Sequence, residues 1–242
     1  MADESDDIIS LLREDIRFEE GLNACINCGT CTAICPAAEL YCYDPREIVD
    51  AVQEGKNDVI KELLKSEKIW YCGECMSCKT RCPKGNVPGL IIMALRYLSQ
   101  KLGYFVESEK GRQQLFIKRT VGEWILDTGY CTYLEGVGSD MFPEQGPIWD
   151  WRQKYWGDLI DDLGGNYKKE GPGALRKIPE SSLEELRNIF KVTGAIDFFD
   201  AIEKYSREKA TEMKIKIDDK GLKSDYLNMI YNDTLKQHNN ND

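Results

Sequence analysis

The sequence contains a single histidine, His238, in the polar tail KQHNNND. That scarcity excludes imidazole-based acid–base catalysis, Rieske ligation and mixed cysteine/histidine zinc fingers. Positive charge is also short. The 32 Lys and Arg face 42 Asp and Glu, a net charge of −10, so no nucleic acid is expected as a partner, because binding phosphates takes a basic face. Long apolar runs are missing: the longest, LIIMAL (90–95), falls far below the roughly 20 residues of a membrane span. The start is acidic, with neither a basic n-region nor an apolar h-region, so no signal peptide is expected. A cytoplasmic location is the expectation. No GxGxxG or GxxxxGK[ST] occurs; GVG (136–138) and GPG (171–173) read as turns, and no nucleotide site is expected.

Cysteine, by contrast, is abundant, with ten in 242 residues. In a reducing compartment these are metal ligands or redox groups sooner than disulfides. Eight of them fall in two runs, CINCGTCTAICP (25–36) and CGECMSCKTRCP (72–83), which share the spacing C-x2-C-x2-C-x3-C-P. A tight C-x2-C-x2-C loop wraps three thiolates around one side of an iron–sulfur cluster. The fourth cysteine, followed by proline, points away and in two-cluster ferredoxins ligates the other cluster. The runs therefore predict two [4Fe–4S] clusters with exchanged fourth ligands: Cys25, Cys28, Cys31 and Cys82 for one, Cys72, Cys75, Cys78 and Cys35 for the other. Gly29 and Gly73 would leave room where backbone meets cluster, and Pro36 and Pro83 would turn the chain away without an N–H to satisfy. Because the crossing ties the two halves of the domain together, cluster binding is expected to contribute to folding. The competing reading is a pair of four-cysteine zinc sites, although zinc usually takes two separated cysteine pairs. Cys42 and Cys131 remain, and read as small buried residues.

The rest of the chain reads as nearly all helix. Ile9, Leu12 and Ile16 suggest a first amphipathic helix. It follows an acidic start, MADESDDIISLLREDIRFEE, that reads as a solubilising, partly frayed terminus. The 35 residues between the runs (37–71) carry two apolar stripes, Ile48, Val49 and Val52, then Val59, Ile60, Leu63 and Leu64, with Pro45 at a helix start after Asp44. Asn86 and Pro88 open a helix with Ile91, Leu95, Leu98 and Leu102 on one face, ended by Gly103. Another helix is expected over about 108–127, ending at Gly129. Residues 130–180 are Gly- and Pro-rich. Two further helices follow: SSLEELRNIF, with a Ser181/Glu184 capping box and a Leu183, Leu186, Phe190 stripe, and one over about 195–212 bearing Phe198, Ile202 and Tyr205. MKIKI (213–217) hints at a strand. The expected architecture is mainly α. An α-helical ferredoxin domain with two [4Fe–4S] clusters covers 1–129, and a mostly helical extension with a polar tail covers 130–242.

No cluster has an open ligand position, and no catalytic side chain stands out. The chain is expected to carry electrons and to catalyse nothing alone. Both cysteine runs, the helical linker, VPGLIIMALRYLSQKLG and ILDTGY resemble the C subunit of heterodisulfide reductase. With PEQGPIWDWRQKYWGDL and the two later helices, the chain most resembles the C subunit of the heterodisulfide reductase-like complex of sulfur oxidisers. The resemblance implies a role as an electron-transfer component of an oxidoreductase complex acting on sulfur groups. It implies two partners, the B subunit with Cys-Cys-Gly motifs and catalytic clusters and the FAD-binding A subunit, and a lipoate-binding carrier protein reached through the complex. Three alternatives stay open: the iron–sulfur subunit of a glycolate, glycerol-phosphate or quinone-linked dehydrogenase, a free ferredoxin-like carrier, and a zinc-stapled scaffold.

PIWDWRQKYW (147–156) holds three of the five tryptophans. Trp149 and Trp156 fall on one helical face and Trp151 on another. One set is expected to pack inside and the other to dock onto a partner protein of the complex.

Overall fold

The computed structural model describes residues 7–132, 134–136, 138–139 and 145–230. His238 and the first six residues of the acidic start lie outside them. Among the described residues all regular structure is helical. The strand expected at 213–217 is absent. Ile215 donates its N–H to Ala210, closing the end of the preceding helix, and Ile215 and Ile217 pack against an apolar cluster.

The N-terminal part is built around one helix, α7 (Pro88–Leu102). Its Ile91, Ile92, Ala94, Leu95 and Leu98 are all buried. Pro88 at its first turn is pre-set for helical φ. Gly103 ends it at φ 81°, a left-handed conformation that only glycine adopts cheaply, and an added Cβ there would meet the Tyr205 ring at 2.5 Å. Against α7 pack α1 (Ile8–Arg13), α2 (Ile16–Gly21), α5 (Pro45–Glu54) and α6 (Asn57–Lys65). Their buried side chains include Leu12, Ile48, Val52, Ile60 and Leu64, each worth about 1.5–3 kcal/mol of transfer free energy. The Ser99 hydroxyl donates to Leu64 O at 2.6 Å, tying α7 to the end of α6.

Two expectations for the N-terminus are corrected. The first helix breaks after Arg13, because Asp15 accepts the Arg17 N–H and caps a new helix. Ile16 thereby leaves the apolar stripe and is 69% exposed. From residue 8 onward the acidic start is not frayed: Ile8, Ile9 and Leu12 sit in the core.

A second apolar cluster joins Phe105, Val106 and Leu115 to Ile202, Ala210, Tyr226, Leu227 and Ile230, and Trp70 packs against both clusters. The helix expected over 108–127 runs as α8 (Glu109–Ile117), a π-helical turn (Lys118–Gly122) and α9 (Glu123–Thr128), capped by Ser108 and closed by Gly129. The π turn inserts one residue per turn and carries Arg119 inward. There its guanidinium donates to Glu203 on α13 (Ala195–Glu212) through two bonds of 2.8 Å, and to Asp218 Oδ1 and Gly221 O at 3.0 Å. Burial pushes the Glu203 carboxyl up, but the hydrogen bonds from Arg119 and Lys118 outweigh it and hold the group below the ordinary glutamate range.

Between these parts, α12 (Glu180–Val192) packs on α9 and α13. The Ser181/Glu184 capping box is not formed. The cap falls two residues earlier, at Pro179, whose carbonyl accepts the N–H groups of Ser182 and Leu183. In PIWDWRQKYW the chain breaks at Tyr155 into α10 (Pro147–Lys154) and α11 (Trp156–Asp162). Trp149 and Trp156 meet edge to face at 5.4 Å with Trp156 buried, whereas Trp151 is 57% exposed and packs on Tyr155.

Candidate metal centre

The two cysteine runs repeat in backbone as well as in sequence. Left-handed residues stand at the second and fourth positions after the first cysteine of each run: Asn27 (φ 58°) and Gly29 (φ 77°) in one, Glu74 (φ 53°) and Met76 (φ 58°) in the other. Alternating right- and left-handed residues aim successive N–H groups into one concavity, a nest that suits an anion and recurs at iron–sulfur sites. Glycine fills this requirement at position 29. At Gly73 φ is ordinary and an added Cβ would meet no protein atom. Met76 holds a conformation disfavoured for a bulky side chain, and such strain persists only when the surroundings fix it.

Each run is clamped by a helix of the linker or of the core. Gln53 on α5 holds the first from both sides: its Oε1 accepts the Cys25 N–H at 2.6 Å and its Nε2 donates to Cys25 O at 3.2 Å. From the start of α5, Arg46 reaches Asn27, while Asp44 accepts from Thr32 and pairs with Arg46. Burial opposes ionisation of Asp44, but the bonds from Thr32 and Arg46 prevail and keep it below the usual carboxylate range. The second run hangs on Arg96 of α7, whose guanidinium lies over Trp70 and donates to Ile69 O, Cys72 O and Glu74.

The runs also meet each other. The short helix α3 (Thr30–Ala33) touches the 3-10 turn Lys79–Arg81. Asn86 is buried and links both: its Oδ1 accepts the Asn23 N–H at 2.6 Å, and its own N–H points to Cys82 Sγ at 3.3 Å. Cys82 thereby joins Cys25, Cys28 and Cys31 around a single pocket, with Arg46, Lys84 and Asn86 also in its wall. Cys35, the N-cap of α4 (Pro36–Tyr41), lies on the other side. It and Cys75 act electrostatically on Cys78, and it and Cys72 act on Tyr43.

All eight of these cysteines are free thiols. Cys28 and Cys75, the second of each run, are exposed, and the other six are partly buried. Their electrostatics repeat too. The Thr30 hydroxyl, 3.3 Å from Cys28 Sγ, lowers that thiol's pKa, and the Ser77 hydroxyl, 3.4 Å from Cys75, does the same. Burial raises Cys31 and Cys78, and likewise Cys72. No three His, Cys, Asp or Glu side chains among the described residues converge on a single-ion point; the first-run thiols line a pocket. A donor set of thiols only, left-handed turns repeated in both runs and backbone N–H groups aimed at Cys72 and Cys82 suit an anionic iron–sulfur cluster.

Residues 21–86, which span both runs, match the family described as 4Fe-4S dicluster domain. Relatives of this chain are heterodisulfide reductase C subunits. The ferredoxin:CoB-CoM heterodisulfide reductase C subunit of Methanosarcina acetivorans is 45% identical over 39% of this chain and 40% of its own length. The iron-sulfur C subunit of the CoB–CoM heterodisulfide reductase of Methanopyrus kandleri is 32% identical over 51% of this chain and 59% of its own. A third relative is the C subunit of the H(2):CoB-CoM heterodisulfide,ferredoxin reductase of Methanothermobacter thermautotrophicus, 26% identical over 72% of this chain and 76% of its own length. The chain thus spans less than two thirds of the first two relatives. The relatives are iron–sulfur subunits of an oxidoreductase complex, consistent with electron transfer. No helix among the described residues is long and apolar enough to cross a membrane.

Several residues that build this site carry no signal in the sequence pattern. Gln53, Arg96 and Asn86 act over 22 or more positions, so no local pattern reveals them. Asn86 was expected to open α7, but Val87 occupies the cap position and Asn86 serves the cysteine runs instead. The two remaining cysteines are corrected as well. Cys42 and Cys131 are exposed, and Cys42 sits at φ 48°, where it ends α4.

Proposed function

We propose that this chain is an electron-relay protein holding two [4Fe–4S] clusters with crossed fourth ligands. Cys25, Cys28 and Cys31 with Cys82 would hold one. Cys72, Cys75 and Cys78 with Cys35 would hold the other. The observation that carries this reading is the pocket lined by three thiols of the first run and the last thiol of the second. When bound, such clusters supply one-electron oxidation and reduction. The chain's own residues position and shield them. Gln53, Arg46 and Arg96 fix the loops, the buried core excludes water on one side, and Cys28 and Cys75 leave one edge of each site open to a donor or acceptor. All four ligands of each site come from the protein, so this chain is not catalytic alone.

The relatives' place in heterodisulfide reductase complexes supports partner proteins, and the resemblance suggests which. The complex would contain an FAD-binding A subunit and, carrying the catalytic clusters, the B subunit with its Cys-Cys-Gly motifs. It would work in the cytoplasm, with this chain wiring one partner to the other. The division of the chain into a ferredoxin domain (1–129) and an extension (130–242) is part of this proposal, although the second apolar cluster draws residues from both sides of that boundary. The long extension favours the sulfur-oxidising version of the complex, served by a lipoate-binding carrier. The relatives' names favour a second reading, a CoB–CoM heterodisulfide as substrate.

Iron and acid-labile sulfide analysis of anaerobically purified protein tests the cofactor, with about eight irons per chain expected. Counts near four, or zinc in their place, reject it. Co-purification tests the complex. A flavoprotein with a Cys-Cys-Gly protein is expected, and a bound lipoyl carrier separates the sulfur-oxidising reading from the heterodisulfide one.

A further inference from the structure

Among the described residues, six buried side-chain polar atoms have no hydrogen-bond partner, and one of them is the hydroxyl of Tyr43. Tyr43 is 3% exposed and belongs to the core around α7, against which Cys35 and Cys72 also pack. Its placement is fixed from both sides. Cys42 turns the chain at φ 48°, and Asp44 caps α5 immediately afterwards. The ring meets Tyr71 edge-on at 6.2 Å, and Tyr71 stacks on Tyr41 at 4.7 Å, so the apolar faces are occupied. The charged and titratable groups that face the hydroxyl are the thiols of Cys72 and Cys35 and the guanidinium of Arg96. Arg96 is already engaged with Ile69 O, Cys72 O and Glu74, and can only donate. A phenol held in an apolar core keeps its proton and is a donor, and the acceptors it faces are two sulfurs from opposite cysteine runs.

We propose that the Tyr43 hydroxyl donates a hydrogen bond to the sulfur shell of the second-run cluster and raises that cluster's reduction potential. The physical reason is general: a hydrogen bond to a cluster sulfur withdraws electron density and stabilises the more negative, reduced state over the oxidised one. Among the described residues the wall of the first-run pocket has no fully buried hydroxyl, and the partly buried Thr32 beside Cys31 donates to Asp44. The pocket's polar wall is Arg46, Lys84, Asn86 and Thr30, and the Thr30 hydroxyl lies at the exposed Cys28. Arg46 and Lys84 act on the first-run site, so the bond from Tyr43 tunes the second-run cluster alone, whichever of the two has the higher potential. Tyr43 acts here as a positioning residue that tunes the site.

The inference rests on the two-cluster reading, so iron is counted first in each variant. Tyr43→Phe removes one oxygen and keeps the ring in the core. The EPR signal of the second-run cluster is the one altered in Cys75→Ser. With iron content unchanged, Tyr43→Phe should move the midpoint potential of that signal to more negative values and leave the first-run cluster where it was. An exchangeable proton coupled to the second-run signal, seen by ENDOR in water against deuterium oxide, should be lost in the variant. Tyr71→Phe, whose hydroxyl faces Glu67, Tyr41 and Glu109 instead, should change neither potential. Unchanged potentials with full iron, or a shift confined to the first-run cluster, overturn the role of Tyr43. Deficient iron in the unaltered chain overturns the cluster reading instead. Should Tyr43→Phe lose iron, 3-fluorotyrosine at position 43, a stronger donor of nearly the same size, decides: a more positive midpoint potential of the second-run signal upholds the bond and an unchanged one refutes it.

Discussion

The cysteine-bearing half of the molecule and the half after α7 are held together in different ways. In the first, short helices and two irregular loops gather around α7, and the loops make few apolar contacts of their own. Their order comes from side-chain clamps, Gln53, Arg46, Arg96 and Asn86, and from left-handed residues that a free loop would not keep. In the second, longer helices share an apolar cluster, and a π turn sends Arg119 into it to pair with Glu203 and Asp218. A region can thus be fixed by side-chain clamps on its loops or by packing of its helices, and the two should fail under different insults.

The largest expected effect comes from removing a crossing ligand. On the proposed crossed ligation, Cys35→Ser should cost the second-run cluster more than the first and destabilise the cysteine half while the later helices persist, as expected where cluster binding contributes to folding. EPR with thermal unfolding followed by circular dichroism checks this; loss of the first-run signal instead would show that the fourth ligands are not crossed. Next, Arg119→Ala should destabilise the second half by up to about 3 kcal/mol, since it removes a buried guanidinium and leaves the partly buried Glu203 with only Lys118 and Arg207, and should spare iron content. Denaturant titration with iron analysis reads both. A similar loss, about 2–5 kcal/mol, is expected for Leu95→Ala in α7. Unlike Arg119→Ala, that variant should loosen iron retention, because α7 also carries Arg96.

Acidification sharpens the contrast by a smaller amount. Glu203 has a folded-state pKa below its ordinary value, so its stabilising contribution is complete above the unfolded-state pKa and disappears as pH falls through the lower folded one. In the second half, this loss of stability should begin as pH enters the ordinary glutamate range, near pH 4, and be complete once pH lies below the folded-state value. In Glu203→Gln that acid-dependent loss should shrink, as urea midpoints measured across pH would show. The smallest change in stability is expected for Trp151→Ala. The side chain is 57% exposed, so unfolding free energy should move by no more than about 0.5 kcal/mol and iron should stay. Loss of co-purifying partners from this variant would identify α10 as a docking element, and full retention of them would reject that role.

Local sequence determined most elements of this fold. Pro45 after Asp44, Gly103 after the α7 stripe, Ser108 and Gly129 at the ends of α8 and α9, and the opposed directions of Trp151 and Trp156 all follow from one or two turns of chain, because caps, turn residues and helical periodicity act over three to seven positions. The strict C-x2-C-x2-C-x3-C-P repeat likewise carried the expectation of iron–sulfur ligation, since ligand spacing is itself a short-range property. Tertiary structure alone decided what depends on which helix lies beside which. The residues of MKIKI pack as irregular chain against the second core; Asn86 abandons the start of α7 to serve the cysteine runs; and Arg119 is buried by a π turn. Each of these reflects competition between a local preference and a partner dozens of residues away, and the energies that settle it, a buried hydrogen bond or an ion pair of a few kcal/mol, exceed the tenths that local propensity supplies.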